Sequence, residues 1–206
     1  MTAPIEPDSR LAAMGIQLIE IHLWLREELA RLRANVDAYL TGDPPAPDAP
    51  PAGDPPGDGP PDDDPPDDGE PGPPRPGLPA LAAHCVAFCS VLRRHHTGED
   101  SGAFAVLADR FPHLRPVLGE LERDHRIVAD ILRRIEDLIG SSGADRTGGA
   151  GPADARRVRA ELDGLTALLE SHFTYEEKRL VAALNSVDGR VGSAEDLFGV
   201  PVPPPE

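Results

Sequence analysis

"RRHHTGEDSGAF", residues 93–104, holds the residues from which both the fold and the chemistry of this 206-residue chain can be approached. Two adjacent histidines, His95 and His96, are followed by an acid at Glu99. Gly98 lies between His96 and Glu99, although a glycine inside a helix lowers stability by about 1 kcal/mol relative to alanine. The stretch is therefore either a polar turn or one wall of a metal site. The glycine would either leave room for a small ligand or let a neighbouring helix approach.

The apolar residues around this stretch recur with helical spacing, and three other segments show the same repeat. The predicted helices span roughly residues 9–40, 78–109, 112–139 and 153–186. No segment alternates with the period of two that is typical of a strand. The pattern predicts an all-α protein, an up-down-up-down four-helix bundle in which residues 1–42 and 78–186 form one domain.

Residues 43–77, between the first and second helices, have a composition unlike the rest of the chain. They contain 15 of the 25 prolines, ten acidic residues and one arginine. Such a segment has little to bury and its like charges repel, so we expect a long disordered Pro/Asp/Gly-rich loop. Residues 187–206, which end in "GVPVPPPE", are expected to form a flexible C-terminal tail.

Charge and hydropathy exclude several classes of partner. The formal net charge is −16, of which about −9 lies in residues 43–77, and this argues against nucleic acid and against an anionic membrane surface. No signal peptide and no run of about 18 apolar residues is recognisable. Cys85 and Cys89, four apart in an apolar segment, are expected to be buried thiols. A cytoplasmic location is therefore expected, and the oligomeric state stays open.

One histidine falls on the apolar stripe of each predicted helix. These residues are His22, His95, His125 and His172. A single histidine on such a stripe is usually a core residue whose two nitrogens have partners. One histidine on the apolar stripe of each of four helices is less easily explained by chance than a single one. The second and fourth helices also share a spacing, since Glu99 follows His95 by four residues and Glu176 follows His172 by four.

Helical geometry ranks the neighbouring candidates. Residues four apart lie about 40° apart around a helix, and adjacent residues about 100° apart. Glu99 therefore falls between His95 and His96, which suits a carboxylate that bridges two ions. On the fourth helix Glu176 lies about 40° from His172, whereas Glu177 lies about 140° away and is expected to face solvent.

The candidate ligands suit two ions better than one. Imidazole and carboxylate ligands inside a helix bundle favour iron or another divalent transition metal. Two carboxylates in a dry core need a cation to stay ionised. The candidates are too many for one tetrahedral zinc. They are His22, His95, His96, Glu99, His125, His172 and Glu176.

The order of these motifs carries a resemblance to a known family. A histidine in the first helix, "HHTGED" in the second, "DH" in the third and "HFTYEE" in the fourth resemble the haemerythrin-like HHE cation-binding domains. The resemblance implies an up-down-up-down bundle with a non-haem di-iron centre, two iron ions bridged by carboxylates. It also implies dioxygen, peroxide, nitric oxide or iron itself as the small partner. The matching ligand positions are His22, His95, Glu99, His125, His172 and Glu176.

The chain departs from the oxygen-carrying members of that family at three places. Leu121 stands where they have a histidine four residues before His125, and Glu176 stands one residue earlier than their aspartate. His96 is additional, and either replaces the missing nitrogen or points outward. A centre short of one nitrogen has more open positions, which favours peroxide or substrate reaching the iron over reversible oxygen transport.

Three functional hypotheses follow. The first is a di-iron haemerythrin-like protein that binds or reacts with O2 or peroxide, in oxygen or redox sensing, peroxide removal or iron handling. The second is a di-iron oxidase or oxygenase for a small organic substrate, which would need a pocket near Gly98 and Tyr175. The third is a metal-free or zinc-bound interaction module that uses residues 43–77. No catalytic residue can be assigned.

Overall fold

The computed structural model of the protein describes residues 13–41, 78–144, 152–187 and 192–203. Within these ranges the chain is helical and has no β-strand, as the all-α prediction requires. The elements are α1 (Met14–Thr41), α2 (Leu78–Ser101), α3 (Ala103–Arg110), a 3-10 turn (Pro112–Leu114), α4 (Arg115–Ala144), α5 (Pro152–Leu184) and α6 (Ala194–Phe198). The predicted disordered loop at 43–77 lies outside the described residues.

The second predicted helix, residues 78–109, is divided at Gly102, where φ is −104° and ψ is −86°. A Cβ atom at this position would lie 2.6 Å from the backbone oxygen of Asp196, so glycine is required there. The Gly102 N–H donates to the carbonyl of Gly98 at 2.7 Å, which keeps α2 and α3 joined. Phe111 ends α3 in a non-helical conformation, with φ −131° and ψ 73°, because the following proline disfavours helical geometry in the residue before it.

The four longest helices pack through their apolar stripes. α1 contacts α5 and α2, and α4 contacts the same two helices. Leu25, Leu121 and Leu165 come from α1, α4 and α5 and are fully buried. Burying one such side chain stabilises a fold by about 1.5–3 kcal/mol. No helix in the described ranges is both long enough and apolar enough to cross a bilayer.

The two cysteines belong to this core. Cys85 and Cys89 lie on α2, are buried and form no disulfide, as the sequence predicts. Burial raises the pKa of the Cys85 thiol to about 11 and that of Cys89 to about 12. Both side chains therefore act as small apolar groups at neutral pH.

Residues 192–203, expected to belong to a flexible tail, are docked on α2. We call this segment the C-terminal strap. Its helix α6 opens with a reciprocal cap, in which the Ser193 hydroxyl accepts from the Asp196 N–H and the Asp196 carboxylate accepts from the Ser193 N–H. Leu197, Phe198 and Val200 are buried. Burial of these apolar side chains offsets the conformational entropy that the strap loses when it is ordered.

A candidate metal centre between four helices

All seven candidate ligands meet in one buried cluster between the long helices. α1 contributes one of them, α2 three, α4 one and α5 two. None is more than 5% exposed. The residues are His22, His95, His96, Glu99, His125, His172 and Glu176. The apolar stripes of the four helices carry them inward, because each lies among leucines that must face the core.

A first group of possible ligand atoms comes from α1 and α2. The atoms that His22, His95 and Glu99 offer lie within 4.8 Å of one another. His95 Nε2 is 3.3 Å from Glu99 Oε1, and His22 Nε2 is 3.9 Å from the same oxygen. His95 and Glu99 are one helical turn apart, so α2 alone sets their separation.

A second group comes from α2, α4 and α5. It consists of His96, His125 and His172, whose ligand atoms also lie within 4.8 Å of one another. The Nε2 atoms of His125 and His172 are 3.1 Å apart. Two nitrogens that bind one ion at about 2.1 Å each are separated by roughly this distance. His96 therefore points into the cluster and not outward.

Glu99 and Glu176 lie between the two groups. Glu99 Oε1 faces the first group, and Glu99 Oε2 lies 3.5 Å from His125 Nε2 in the second. Glu176 Oε2 is 3.5 Å from both His22 Nε2 and His172 Nε2. Each carboxylate thus reaches both groups, which is the placement that bridging two ions requires.

Several polar atoms at the middle of the cluster have no hydrogen-bond partner. They are the Nε2 atoms of His22, His95 and His96, both carboxylate oxygens of Glu99, and Oε2 of Glu176. Leaving one such buried group unpaired costs about 1–3 kcal/mol, so a cluster of them is expensive in a bare protein. All these atoms are lone-pair donors of the kinds that bind metal cations. The residues present therefore fit a metal site.

Burial favours the uncharged forms of four histidines and both carboxyls of the cluster when no cation is bound. It lowers the pKa of His22, His95 and His96 well below the usual value, and that of His172 to about 2. Burial and then the neighbouring Glu176 carboxylate raise the pKa of Glu99 well above its usual value. Burial raises the pKa of Glu176 to about 8. These four histidines are thus neutral and ready to bind a cation, which would displace protons from the two carboxyls.

The histidine rings are held from outside the cluster by acceptors. His22 Nδ1 donates to Glu177 Oε1 at 2.9 Å, and His125 Nδ1 donates to Asp100 Oδ1 at 2.8 Å. A carboxylate only accepts, so the proton sits on Nδ1 and Nε2 keeps its lone pair for the interior. This is the arrangement typical of metal-binding histidines.

Two further contacts lie on the outer side of the cluster, at His95 and His172. His95 Nδ1 donates to the backbone carbonyl of Phe198 at 3.1 Å. His172 Nδ1 lies 3.5 Å from Asp124 Oδ2 but, although buried, forms no hydrogen bond with any described residue. None of these outer contacts was predicted from the sequence, although Asp100 and Asp124 directly adjoin Glu99 and His125.

Glu177 lies elsewhere than expected. Helical geometry predicts that it faces solvent, but its side chain is 23% exposed and accepts hydrogen bonds from both His22 and Arg26. The Arg26 guanidinium donates to Glu177 Oε1 at 3.0 Å and lies over the Phe173 ring, 5.1 Å from its centre. Phe173 in turn stacks on the His22 ring at 4.0 Å. The first group is therefore enclosed by Glu177, Arg26 and Phe173.

A small cavity reaches the second group from the surface between α2 and α4. Its volume is about 130 Å³. The lining residues are Arg93, His96, Thr97, Asp100, His125, Arg126, Ala129 and Leu132. Neither Gly98 nor Tyr175 lines it; Gly98 adjoins the strap, and the Tyr175 hydroxyl donates to Glu120 at 2.8 Å. A second pocket, of about 400 Å³, is lined by Gly98 and Gly199 but by neither Tyr175 nor any of the clustered residues, whereas the cavity at His96 reaches the candidate metal centre.

Comparison with known proteins agrees with this geometry. The family model for the hemerythrin HHE cation binding domain matches residues 16–184. Neither a curated protein nor a solved structure matches the chain. The matched span contains all seven clustered residues and ends before the C-terminal strap. Since it covers well over half of the sequence, the chain belongs to the hemerythrin HHE cation-binding family.

Proposed function

We propose that α1, α2, α4 and α5 form an up-down-up-down four-helix bundle that holds two bridged, non-haem iron ions. The protein would bind or react with dioxygen or peroxide there. The observation that carries the proposal is the pair of ligand groups joined by Glu99 and Glu176, with their unpartnered atoms turned towards one another. Membership of a cation-binding family supports it.

The two groups define which residues would hold each ion. His22 and His95 would bind one ion, and His96, His125 and His172 the other. Glu99 and Glu176 would bridge them. Nitrogen-rich ligation with carboxylates favours iron over magnesium or calcium, which prefer oxygen ligands alone. With His96 turned inward, the nitrogen that Leu121 does not provide comes from α2, so the ligand number does not oppose reversible oxygen binding.

Bound iron would supply redox electrons and Lewis acidity to a dioxygen-derived ligand. The chain's own residues prepare the surroundings. The Asp100 carboxylate holds the Nδ1 proton of His125, and Glu177 holds that of His22. Phe173 and the other buried apolar side chains exclude bulk water from the first group.

The cavity favours a small ligand over an organic substrate. Pockets for organic ligands of ordinary size measure about 300–1,000 Å³, whereas the cavity beside His96 and His125 measures about 130 Å³. Dioxygen or peroxide fits this space. Arg93 and Arg126 line it, so a polar ligand also finds hydrogen-bond donors there.

Metal counting joined to optical spectroscopy tests the proposal. Metal-free protein would be loaded with ferrous iron without oxygen, and we expect two ions per chain. Dioxygen or peroxide should then produce the absorption of ferric ions. His95→Ala should lose iron, while His84→Ala, on the same helix but outside the cluster, should retain it.

The possible outcomes separate the parts of the proposal. Tight binding of zinc with no retention of iron would contradict the iron assignment alone. No retention of any divalent metal, in a protein that remains helical, would contradict the site itself.

The unpaired, buried thiols also lead us to propose a reducing, cytoplasmic location.

A further inference from the structure

We infer that the C-terminal strap is part of the metal centre, in which the Phe198 carbonyl is the positioning acceptor that fixes the ring of His95. The strap lies beyond residues 16–184, the span that the family model matches. The inference about metal affinity rests on the proposed function. The inference that the strap docks on α2 and orients His95 stands without it.

The seat of the strap is a glycine surface on α2. A Cβ atom added to Gly98 would lie 2.2 Å from the backbone nitrogen of Gly199 and 2.4 Å from its Cα. A Cβ atom on Gly102 would lie 2.6 Å from the carbonyl oxygen of Asp196. Both obstacles are backbone atoms, which cannot move aside as a flexible side chain can. The two glycines, one helical turn apart, therefore let the strap backbone approach α2 directly.

The strap meets this surface with a glycine of its own. Gly199 has a φ of +68°, which favours glycine, and a Cβ atom there would lie 2.1 Å from the Arg94 carbonyl oxygen. Its N–H donates to the Glu195 carbonyl at 3.0 Å and closes α6. This tight turn brings the Phe198 carbonyl over α2, while the Phe198 side chain is fully buried.

The docked position places one acceptor against one candidate ligand. The Phe198 carbonyl accepts from His95 Nδ1 at 3.1 Å, and both residues are buried. The bond keeps the proton on Nδ1, so Nε2 faces Glu99 with its lone pair free. Losing such an outer partner typically weakens metal binding about 10–100-fold.

The single tryptophan offers a signal for docking. Trp24, on α1, lines a cavity of about 240 Å³ together with Val200, Pro201, Val202 and Pro203 of the strap. Trp24 is partly buried and the strap forms one side of this cavity, so departure of the strap would expose more of the indole to water. Tryptophan emission should therefore shift to longer wavelength, and this signal needs no bound metal.

The test compares two glycine substitutions in the full chain. Gly98→Ala should displace the strap, whereas Gly119→Ala on α4 is the matched control, because a Cβ atom there meets no heavy atom within 4 Å. In metal-free protein, Gly98→Ala should red-shift the emission of Trp24. Nitrogen NMR of labelled histidines should show that His95 no longer holds its proton on Nδ1. In competition with a chelator, Fe²⁺ affinity should fall about 10–100-fold. The control should change none of these.

A second variant covers the case in which Gly98→Ala fails to fold. Gly199→Ala leaves α2 unaltered and should give the same three changes, because its Cβ atom meets the Arg94 carbonyl. Unchanged emission in both variants would overturn the docking. Shifted emission with an unchanged His95 tautomer and Fe²⁺ affinity would overturn the positioning role. If even the unaltered protein binds no metal, the proposed function fails, while emission and NMR still decide the strap.

Discussion

The imidazole rings of His96 and His125 are parallel, with their centres 4.1 Å apart and 4° between their planes. One ring comes from α2 and the other from α4. Leu121, one turn before His125 on α4, is fully buried and apolar. α4 provides one histidine, His125, to the group that also contains His172. The stack places His96 beside it, so the additional nitrogen of this group comes from α2.

Replacing His96 by leucine should separate metal binding from stability. We expect bound iron to fall from two towards one per chain, because the second group loses a ligand. The metal-free variant should be more stable by about 1 kcal/mol, because a buried and unpartnered Nε2 is removed. Iron counting and urea unfolding measure the two effects. The exposed His113→Leu should alter neither, and a destabilised metal-free His96→Leu protein would contradict the interpretation.

Glu177→Ala should weaken metal binding without removing a ligand. His22 would lose the acceptor of its Nδ1 proton, so we expect a loss of affinity of about 10–100-fold, measured by chelator competition. Glu170→Ala is the matched control, because Glu170 also pairs with Arg26 but does not contact His22. Equal effects of the two substitutions would show that Arg26, and not His22, is the residue through which Glu177 acts.

Filling the cavity should slow the chemistry and leave the metal in place. Ala129→Leu adds three carbon atoms to the wall beside His96 and His125. We expect the reaction of reduced protein with peroxide to slow at least several-fold in stopped-flow measurements, with unchanged iron content. Ala105→Leu, at an exposed position on α3, serves as the control. An unchanged rate in the Ala129 variant would mean that the ligand takes another route.

The metal-free protein should lose stability as the pH rises from about 6.5 to 8. The pKa of Glu176 is about 8 in the folded chain, above its usual value near 4.5. A raised folded-state pKa gives stability that is complete below the unfolded pKa and is lost as pH rises through the folded one. The slope is of the order of 1 kcal/mol per pH unit for one such group. Urea unfolding at several pH values measures it.

The same measurement has two internal comparisons. Glu176→Gln cannot ionise, so its metal-free form should show a shallower decline over this range. Metal-loaded protein should decline less as well, because a cation stabilises the ionised carboxylates. The buried histidines contribute equally to both proteins, so a metal-free protein that declines no more steeply than Glu176→Gln would rule out a buried, protonated Glu176.

The sequence was sufficient for the positions that face the core directly. His22, His95, His125 and His172 lie on apolar stripes, and a helical repeat specifies which way such residues point. The inward direction of His96 could not be predicted, because it lies about 100° from His95 and only the arrangement of neighbouring helices decides whether that direction is interior. The same limitation led to the wrong expectation for Glu177, whose partner Arg26 is remote in sequence.

The strap escaped prediction for a different reason. α6 has five residues, too few to show a helical period, and its surroundings are rich in proline and glycine. A Ser-x-x-Asp cap at Ser193, followed by Leu197 and Phe198, was the available signal. Nothing in the sequence shows that a backbone carbonyl will face His95, since any residue carries that group. The role of Gly98 depends on its close contact with the backbone of Gly199, which the sequence does not show.

The bond between His95 and Phe198 joins residues separated by 103 positions. A ribosome makes the chain from its amino end, and the helices can begin to associate while synthesis continues. His95 nevertheless acquires its acceptor only when residue 198 has been added and released from the ribosome. Biosynthesis therefore imposes an order in which the seven clustered residues are all made before residue 198, whose carbonyl restrains His95.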